Sequence, residues 1–301
     1  MKQLTIGMTG ITGFIGRAAA RDLLARGHVV RGLVRPGRAS AVADLEVEHV
    51  KGGMSDPAAR AALLENVDVL VHNAFDWAAK VQDLRSHLQE NLCAGIQLFQ
   101  QAASQGCRVV FVSSVAVHQH MLDAWDGRID HSHPMRPGGL YGALKAALES
   151  HLWGMHTQDG LPFNCLRPCA VYGVDPNHAR SVGWPMVEKL LAGEAWGRRG
   201  GGKFVHVDDV AACMVAAAES THSGGRIHHL TDCYARWSDW EAIAAEQLGL
   251  DPTVEHLDPP APRNMFETES VTKDLHVNLN RGMDGIASHI AAMIELQRGT
   301  P

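Results

Sequence analysis

The sequence has no apolar run that approaches the ~20 residues needed by a membrane-spanning helix. It also lacks a surplus of positive charge, because its formal net charge is −6 at pH 7. We therefore expect neither nucleic acid nor an anionic membrane as a partner. The first residues pass directly into a strand-like pattern, without the apolar segment of a signal peptide. These features predict a cytoplasmic protein.

Cysteine is scarce, and its spacing gives no disulfide framework. The six cysteines lie mostly inside apolar runs, which is typical of reduced thiols in a protein core. Histidine is abundant, with eighteen residues, but no pair is spaced four apart on a predicted helix with a third ligand nearby. We therefore expect no metal site and interpret most histidines as ordinary loop and surface residues.

A glycine-rich segment follows the first predicted strand, which covers residues 3–8. In a strand–turn–helix context, Gly10 allows a tight turn, Gly13 allows the backbone to approach a pyrophosphate, and Gly16 allows the helix to pack closely. The free N–H groups at the start of the helix favour phosphate. A merely flexible turn is the alternative, but the context favours dinucleotide binding. The predicted cofactor contacts in this segment are Gly10, Thr12, Gly13, Phe14, Ile15 and Gly16.

The second predicted strand, residues 28–34, ends at Arg35, with Arg38 three residues later. An NAD site usually has an acidic residue here to bind the ribose 2′-hydroxyl, whereas arginine suits a 2′-phosphate. Both arginines are solvated loop residues in the alternative interpretation. We favour NADP over NAD, with Arg35 and Arg38 as the phosphate ligands.

Strands and helices continue to alternate through the first half of the chain, which predicts an α/β fold with a doubly wound parallel sheet of the Rossmann type. Because ligands bind at the carboxyl ends of such strands, Thr9–Gly16, Asn73–Trp77, Ser114 and Tyr141 are expected to converge. Further strands are predicted near residues 47–50, 68–74, 108–114 and 163–167, and helices near 57–66, 79–105 and 141–157.

Tyr141 and Lys145 are four residues apart at the start of a predicted helix, so they share one face. An ammonium group close to a phenol favours the phenolate and lowers the phenol pKa. A tyrosine tuned in this way exchanges protons with an alcohol or carbonyl near neutral pH. The pair alone is weak evidence, because the same spacing is common on solvated helix faces.

The pattern becomes less regular after residue 173. We predict a dinucleotide-binding domain over residues 1–173, to which parts of residues 204–231 return. Residues 174–301 are predicted to form mainly a small, interleaved substrate-binding lobe.

Together these motifs resemble the extended short-chain dehydrogenase/reductase superfamily, and within it the NAD(P)-dependent epimerase/dehydratase family, over almost the whole chain. Thr9–Gly16 is similar to the family's cofactor loop, Val112–His118 to its catalytic-serine segment, and Tyr141 with Lys145 to its catalytic pair. Further segments that resemble family signatures are His72–Phe75, Arg167–Gly173 and Phe204–Ala211.

The resemblance implies a division of labour among three residues. Tyr141 is expected to be the general acid/base, Lys145 to lower its pKa and bind the nicotinamide ribose, and Ser114 to hydrogen-bond the reacting oxygen. A hydride would pass between the nicotinamide and a substrate carbon. The resemblance also implies cofactor contacts from Asn73, Ala74, Phe75, Asn91, Tyr141, Lys145 and Pro168.

Three departures from the family pattern restrict the chemistry. Val115 and Ala116 stand where the 4,6-dehydratase branch has acidic residues, which argues against dehydration. Gly202 replaces the arginine with which nucleotide-sugar epimerases usually bind a diphosphate. Gly53 replaces the usual acidic residue after the third strand, so adenine contacts there are in doubt.

We therefore expect a reductase or dehydrogenase that acts on a small ketone or secondary alcohol. The alternatives are a sugar epimerase with tightly bound NAD and a dinucleotide-binding sensor without activity. The resemblance also implies a homodimer through the helices near residues 79–105 and 139–157. The predicted substrate contacts are Trp77, His118, Arg180 and Trp184.

Overall fold

The computed structural model describes residues 2–222, 224–250 and 257–299. The strands are β1 Thr5–Thr9, β2 Val29–Val34, β3 Glu48–Lys51, β4 Val69–His72, β5 Arg108–Val112, β6 Gly127–Ile129, β7 Phe163–Pro168, β8 Ala170–Tyr172, β9 Gly201–His206, β10 Gly225–Leu230, β11 Cys233–Arg236 and β12 Asn264–Phe266. The α-helices are α1 Phe14–Ala25, α2 Pro57–Leu64, α3 Trp77–Gln82, α4 Leu84–His87, α5 Ala94–Ser104, α6 Leu140–Asp159, α7 Trp184–Leu191, α8 Val207–Glu219, α9 Trp237–Leu248 and α10 Gly282–Arg298.

Seven strands form one parallel sheet in the order β10-β7-β5-β4-β1-β2-β3. The chain builds outward from β1 to β3 and then returns to β4 on the other side of β1. The carboxyl ends of β1 and β4 therefore flank the point where the strand order reverses, and such sheets bind ligands there. The predicted doubly wound parallel sheet is confirmed.

The sheet is buried on both faces, which explains why its strands are almost continuously apolar. On one face, α1 and α8 pack against side chains such as Ile6 and Val110. On the other face, α2, α5 and α6 pack against side chains such as Leu70 and Phe111. Helices therefore cover both faces of the sheet. The strands β1, β4 and β5 pass into their loops at its carboxyl edge.

A second core lies in the C-terminal part of the chain. It is formed by α7, α9, α10 and the three-stranded sheet β11-β9-β8, with Trp240 and Tyr172 among its fully buried side chains. Strand β10 and helix α8 instead belong to the main sheet and its flanking layer. The chain therefore crosses between the two cores more than once.

Two elements differ from those predicted. The single helix expected near residues 79–105 is divided into α3, α4, a π-helical turn over Leu88–Cys93 and α5. The break occurs at Asp83, whose extended backbone ends α3 while its carboxylate accepts the amide of Ser86 and caps α4. Gly201 and Gly202 begin β9, although the glycine-rich sequence around them is typical of a loop.

Among the described residues, no helix combines the length and the apolar character that crossing a bilayer requires. The same residues contain no cluster of three or more histidine, cysteine or carboxylate side chains arranged to hold a metal ion.

Candidate active site

The turn between β1 and α1 has no room for a side chain at two of its glycines. Gly10 has a φ of +72°, and a Cβ there would lie 2.8 Å from the backbone nitrogen of Ala74. A Cβ at Gly16 would lie 2.1 Å from the carbonyl oxygen of Gly10. Gly13 is the N-cap residue before α1 and provides no side-chain cap. The first turn of the helix carries no acidic residue. This cradle fits a pyrophosphate, because the first N–H groups of a helix favour an anion.

Thr9 joins the ends of β1 and β4. Its hydroxyl oxygen accepts hydrogen bonds from the backbone amides of Asn73 and Ala74, each at 3.2 Å. The hydroxyl must then donate to Nδ1 of His72, 2.8 Å away, which leaves the imidazole proton on Nε2. Burial, with the charge of Lys145, lowers the pKa of His72 to about 3. His72 is therefore a neutral part of the scaffold that positions Asn73 and Ala74 beside the glycine turn.

Ser114 and Tyr141 meet at the carboxyl end of β5. The hydroxyl oxygen of Ser114 accepts the amide of Ala116 at 3.1 Å and so caps a short 3₁₀ turn. Tyr141 lies in the first turn of α6. Burial raises the pKa of Tyr141, and a hydrogen bond with Ser114 opposes that shift. The phenol is therefore held in its protonated form at neutral pH.

The ammonium group of Lys145 is buried beneath Tyr141. Its Nζ donates to the carbonyl oxygen of Val112 at 2.7 Å and lies 4.8 Å from the ring centroid of Phe111. Burial lowers the pKa of Lys145 to about 8, although Cys165 and Glu149 act in the opposite direction.

The sequence predicts that Lys145 lowers the pKa of Tyr141, and the structure shows a different outcome. Nζ of Lys145 lies 5.8 Å from the Tyr141 ring centroid, and the net shift of the phenol pKa is upward. The prediction of a lowered Tyr141 pKa is corrected, because burial of the phenol is the largest influence on it.

Two aromatic side chains cover the Tyr141 ring. Phe75 meets it edge-on, with ring centroids 4.9 Å apart. Trp77 stacks on it at 5.2 Å, with the ring planes 19° apart. Trp77 is still 56% exposed, and Nζ of Lys80 lies 5.3 Å from its ring centroid. The segment that follows β4 thus contributes the apolar wall beside the phenol.

The arginines at the end of β2 are exposed, as a phosphate site requires. Arg35 donates from Nη1 to Oδ2 of Asp76 at 2.9 Å, and its side chain is 58% exposed. Arg38 is also exposed and begins the 3₁₀ turn over Ala39–Val42. The residues between them, Pro36-Gly37, place no carboxylate at this end of the strand.

Asn91 lies behind the same segment and is buried. Its side-chain oxygen accepts the backbone amide of Asp76 at 2.6 Å, and its amide group donates to the carbonyl of Asp76 and to Nδ1 of His87. Since these bonds use the donors and acceptor of the side chain, Asn91 holds the segment in place. Its expected contact with the cofactor stays a prediction.

A sequence model of the NAD dependent epimerase/dehydratase family matches residues 6–230. The chain belongs to this family. The suspected resemblance is thereby confirmed, and the prediction of an NAD(P)-dependent enzyme is confirmed at the level of the family. The matched residues include the glycine turn, Ser114, Tyr141 and Lys145, all of which lie at the carboxyl edge of the sheet.

Curated proteins that are similar to this chain differ widely in overall length. The chain is 32% identical over 203 residues to the polyketide synthase-nonribosomal peptide synthetase hybrid himA of Aspergillus japonicus, covering 58% of this chain but 5% of himA. It is 29% identical over 236 residues to 4-hydroxy-2-methyl-3-oxo-4-farnesyl-3,4-dihydroquinoline-1-oxide ketoreductase of Stigmatella aurantiaca, covering 75% and 67% of the two chains. It is 27% identical over 260 residues to ceramide reductase of Caulobacter vibrioides, covering 85% and 74%.

Solved structures confirm the fold over the whole chain. A mutant UDP-glucuronic acid 4-epimerase of Bacillus cereus, in complex with a fluorinated UDP-sugar and NAD, superimposes with a TM-score of 0.81 at 19% identity. The match covers 97% of this chain and 100% of the epimerase. At this level of identity the similarity establishes the fold alone.

The other predicted cofactor residues of this epimerase/dehydratase family member differ in their surroundings. Thr12 is half-buried in the turn, and Ile15 is half-buried against the core beneath α1. The Phe14 ring packs near Gly173, where a Cβ would lie 3.1 Å from it. Pro168 ends β7, is buried and pairs with Leu230 of β10. Their contacts with a cofactor stay a prediction.

The four predicted substrate residues lie in different surroundings. His118 is fully buried, with Nε2 accepting from Nη1 of Arg167 at 2.7 Å. Trp184 is packed in the C-terminal core and donates to Glu188. Arg180 is exposed on a 3₁₀ turn of the C-terminal lobe. Of these four residues, Trp77 is the one whose ring stacks on Tyr141, and the substrate contacts of all four stay predictions.

A buried polar network that was not predicted from the sequence lies behind the site. Arg167 donates from Nε and Nη2 to the carboxylate of Glu149, and both side chains are almost fully buried. The same carboxylate accepts the hydroxyl of Ser113. Two histidines, His118 and His229, accept from Nη1 of Arg167 at 2.7 and 3.2 Å. The sequence feature that could have indicated this network is Arg167, a charged residue inside an otherwise apolar strand.

Proposed function

We propose that this protein is an NADP-dependent reductase that converts a small ketone into a secondary alcohol. The observation that carries the proposal is the meeting of Ser114, Tyr141 and Lys145 at the carboxyl end of β5, with the phenol kept protonated by burial. A protonated phenol is the form that can give a proton to a carbonyl oxygen. The free protein therefore holds the proton that reduction of a ketone requires.

The side chains divide the chemistry as follows. Ser114 hydrogen-bonds the substrate carbonyl oxygen, which stabilises the negative charge that develops there. Tyr141 donates its phenolic proton to that oxygen, and the phenolate is neutralised by a proton from solvent. Lys145, fixed on the carbonyl of Val112, supplies a positive charge near the phenolate. The bound cofactor would supply the hydride to the carbonyl carbon and become oxidised.

The preference for NADP rests on the end of β2. Arg35 and Arg38 are exposed cations at the position where an NAD site usually has a carboxylate. A guanidinium group binds a phosphate through paired hydrogen bonds, which a ribose hydroxyl does not match. We therefore assign the 2′-phosphate to Arg35, with Arg38 as the second cation.

A sugar epimerase is the second candidate, because the same three residues also serve that chemistry in this family. Gly202 argues against a nucleotide-sugar substrate. A Cβ at this position would already lie 3.3 Å from the ring of Phe204, so an arginine there requires the ring to move. Two of the similar curated proteins, moreover, are named as a ketoreductase and a ceramide reductase. A catalytically silent sensor is disfavoured because Ser114, Tyr141 and Lys145 are all present.

The decisive experiment starts with the nucleotide content of freshly purified protein. We expect little bound nucleotide, reversible binding of NADPH with a lower Kd than NADH, and oxidation of NADPH when a ketone from a screening panel is added. Tyr141→Phe should abolish turnover and retain NADPH binding. Stoichiometric, tightly held NAD with no net redox turnover would instead establish the epimerase. Unchanged turnover in Tyr141→Phe would refute the assignment of the catalytic residues.

We also propose a homodimer through α5 and α6. A shallow groove between these helices is lined by residues of both, and Trp153 on α6 is 38% exposed. Gly154 lines the groove, and a Cβ there meets no atom within 4 Å. Gly154→Arg is therefore expected to keep the fold and convert a dimer into a monomer, as measured by light scattering after size-exclusion chromatography. Gly154→Ala is the control and should remain dimeric. A monomeric wild type would refute the proposal.

A further inference from the structure

The ion pair between Arg35 and Asp76 crosses the cofactor end of the sheet. Arg35 directly follows β2, and Asp76 lies four residues after β4. These two strands are the immediate neighbours of β1 on its two sides. The contact of 2.9 Å between Nη1 and Oδ2 therefore joins both flanks of the strand that leads into the glycine turn.

Asp76 is held rigidly, whereas Arg35 is not. Oδ1 of Asp76 accepts the amide of Ala79 at 3.1 Å and caps α3. The backbone of Asp76 is fixed at both its amide and its carbonyl by the buried side chain of Asn91. Arg35, by contrast, is 58% exposed, and within the described residues its guanidinium bonds to Asp76. When the pair separates, Arg35 is the partner that moves.

We propose that Asp76 is a specificity-determining residue that competes with the 2′-phosphate of NADP for Arg35. This inference rests on the proposed assignment of the phosphate to Arg35. With NAD, Arg35 keeps its bond to Asp76, and nothing is lost. With NADP, the guanidinium exchanges the carboxylate for the phosphate, so part of the gain from the new ion pair is offset by the loss of the old one. Asp76 therefore reduces the NADP preference below the value that Arg35 alone would give.

The test is the ratio of the Kd values of NADH and NADPH, measured by titration of the full-length protein. Asp76→Asn keeps a good N-cap on α3, because asparagine and aspartate cap helices equally well. It should tighten NADPH binding by about two- to fivefold, the range expected from an exposed ion pair, and leave the Kd of NADH unchanged. Asp76→Ser, also a good cap, should behave in the same way.

Arg35→Gln supplies the complementary variant. It should weaken NADPH binding and leave the Kd of NADH unchanged. When Asp76→Asn is added to Arg35→Gln, NADPH binding should not become tighter. Glu48→Gln is the matched control, because it removes an ion pair of similar length, with Arg31 at 2.8 Å, but does not free Arg35. Neither Kd should change in this control.

Three results would overturn the inference in distinguishable ways. If Arg35→Gln weakens NADPH binding but neither Asp76 variant changes the Kd ratio, the competition is refuted and the NADP assignment stands. If Arg35→Gln leaves NADPH binding unchanged, the phosphate assignment and the competition fail together. Equal tightening of NADPH and NADH by Asp76→Asn would also refute the competition, because a general change in the cleft acts on both cofactors.

Discussion

The indole of Trp77 lies almost parallel to the phenol ring of Tyr141, with ring centroids 5.2 Å apart. Phe75 contacts both rings, at 4.5 Å from Trp77 and 4.9 Å from Tyr141. The three rings bring the segment after β4 into contact with the first turn of α6. The group expected to deliver a proton is therefore enclosed by side chains from another part of the chain.

Removal of Trp77 is expected to lower the pKa of Tyr141, because burial is the largest cause of its upward shift. Trp77→Ala exposes the phenol and also loses an aromatic contact worth about 0.5–1.5 kcal/mol. The phenolate absorbance of Trp77→Ala, followed against pH with Tyr141→Phe as the baseline, measures the midpoint. Trp153→Ala is the control, since Trp153 packs on Phe163 instead. An unchanged midpoint in Trp77→Ala would show that the indole does not shield the phenol.

The charge of Lys145 should set an alkaline limit on turnover. Burial lowers its pKa to about 8, so the ammonium is lost as the pH rises through this value. The raised pKa of Tyr141 keeps the phenol protonated over the same range. The value of kcat/KM for ketone reduction should therefore fall about tenfold per pH unit above pH ~8. A kcat/KM value that stays constant up to pH ~10 would show that the reaction does not depend on the charge of Lys145.

Gly16→Ala should destabilise the fold and weaken cofactor binding, because its Cβ would lie 2.1 Å from the carbonyl oxygen of Gly10. Relief requires a shift of the turn, and overpacking of this kind typically costs about 1–3 kcal/mol. Urea unfolding and NADPH titration provide the two measurements. Gly53→Ala is the control, since a Cβ there meets nothing closer than 4.0 Å. Equal behaviour of the two variants would contradict the close packing of this turn.

Acid should destabilise the protein through His72. Its pKa is lowered from 6.5 to about 3, so between these values the unfolded chain binds a proton that the folded chain does not. The free energy of unfolding must then fall as the pH decreases from 6.5 towards 3, and this residue accounts for about 2 kcal/mol at pH 5. Above pH 6.5 both states are neutral at this position, and the contribution vanishes.

His72→Asn provides the measurement of that effect. Its side-chain oxygen can accept the Thr9 hydroxyl that now donates to Nδ1 at 2.8 Å, but asparagine takes up no proton in this range. The variant should be less stable at pH 7, because a cavity is left between Phe99 and Phe111. Its stability should nevertheless fall less steeply between pH 7 and 5. An identical slope would show that His72 does not carry the proton linkage.

The sequence by itself determined the sheet and the position of its ligand-binding edge. Apolar strands alternating with helices have one stable arrangement, a parallel sheet covered on both faces, and its topology brings the carboxyl ends of β1, β4 and β5 together. Gly10 and Gly16 were identifiable by their spacing between a strand and a helix, and the structure leaves no room for a Cβ at either position. Tyr141 and Lys145 were identifiable by their separation along one helix.

Only the tertiary structure decided what each side chain contacts across the sheet. Burial by Phe75 and Trp77 reversed the pKa shift expected for Tyr141, because the rings that cover the phenol are more than sixty residues away in sequence. His118, a predicted substrate contact, makes a buried hydrogen bond with Arg167. Arg35, a predicted phosphate ligand, forms an ion pair with Asp76. Solvent exclusion and long-range pairing depend on which loops fold over one another, and no local pattern of residues contains that information.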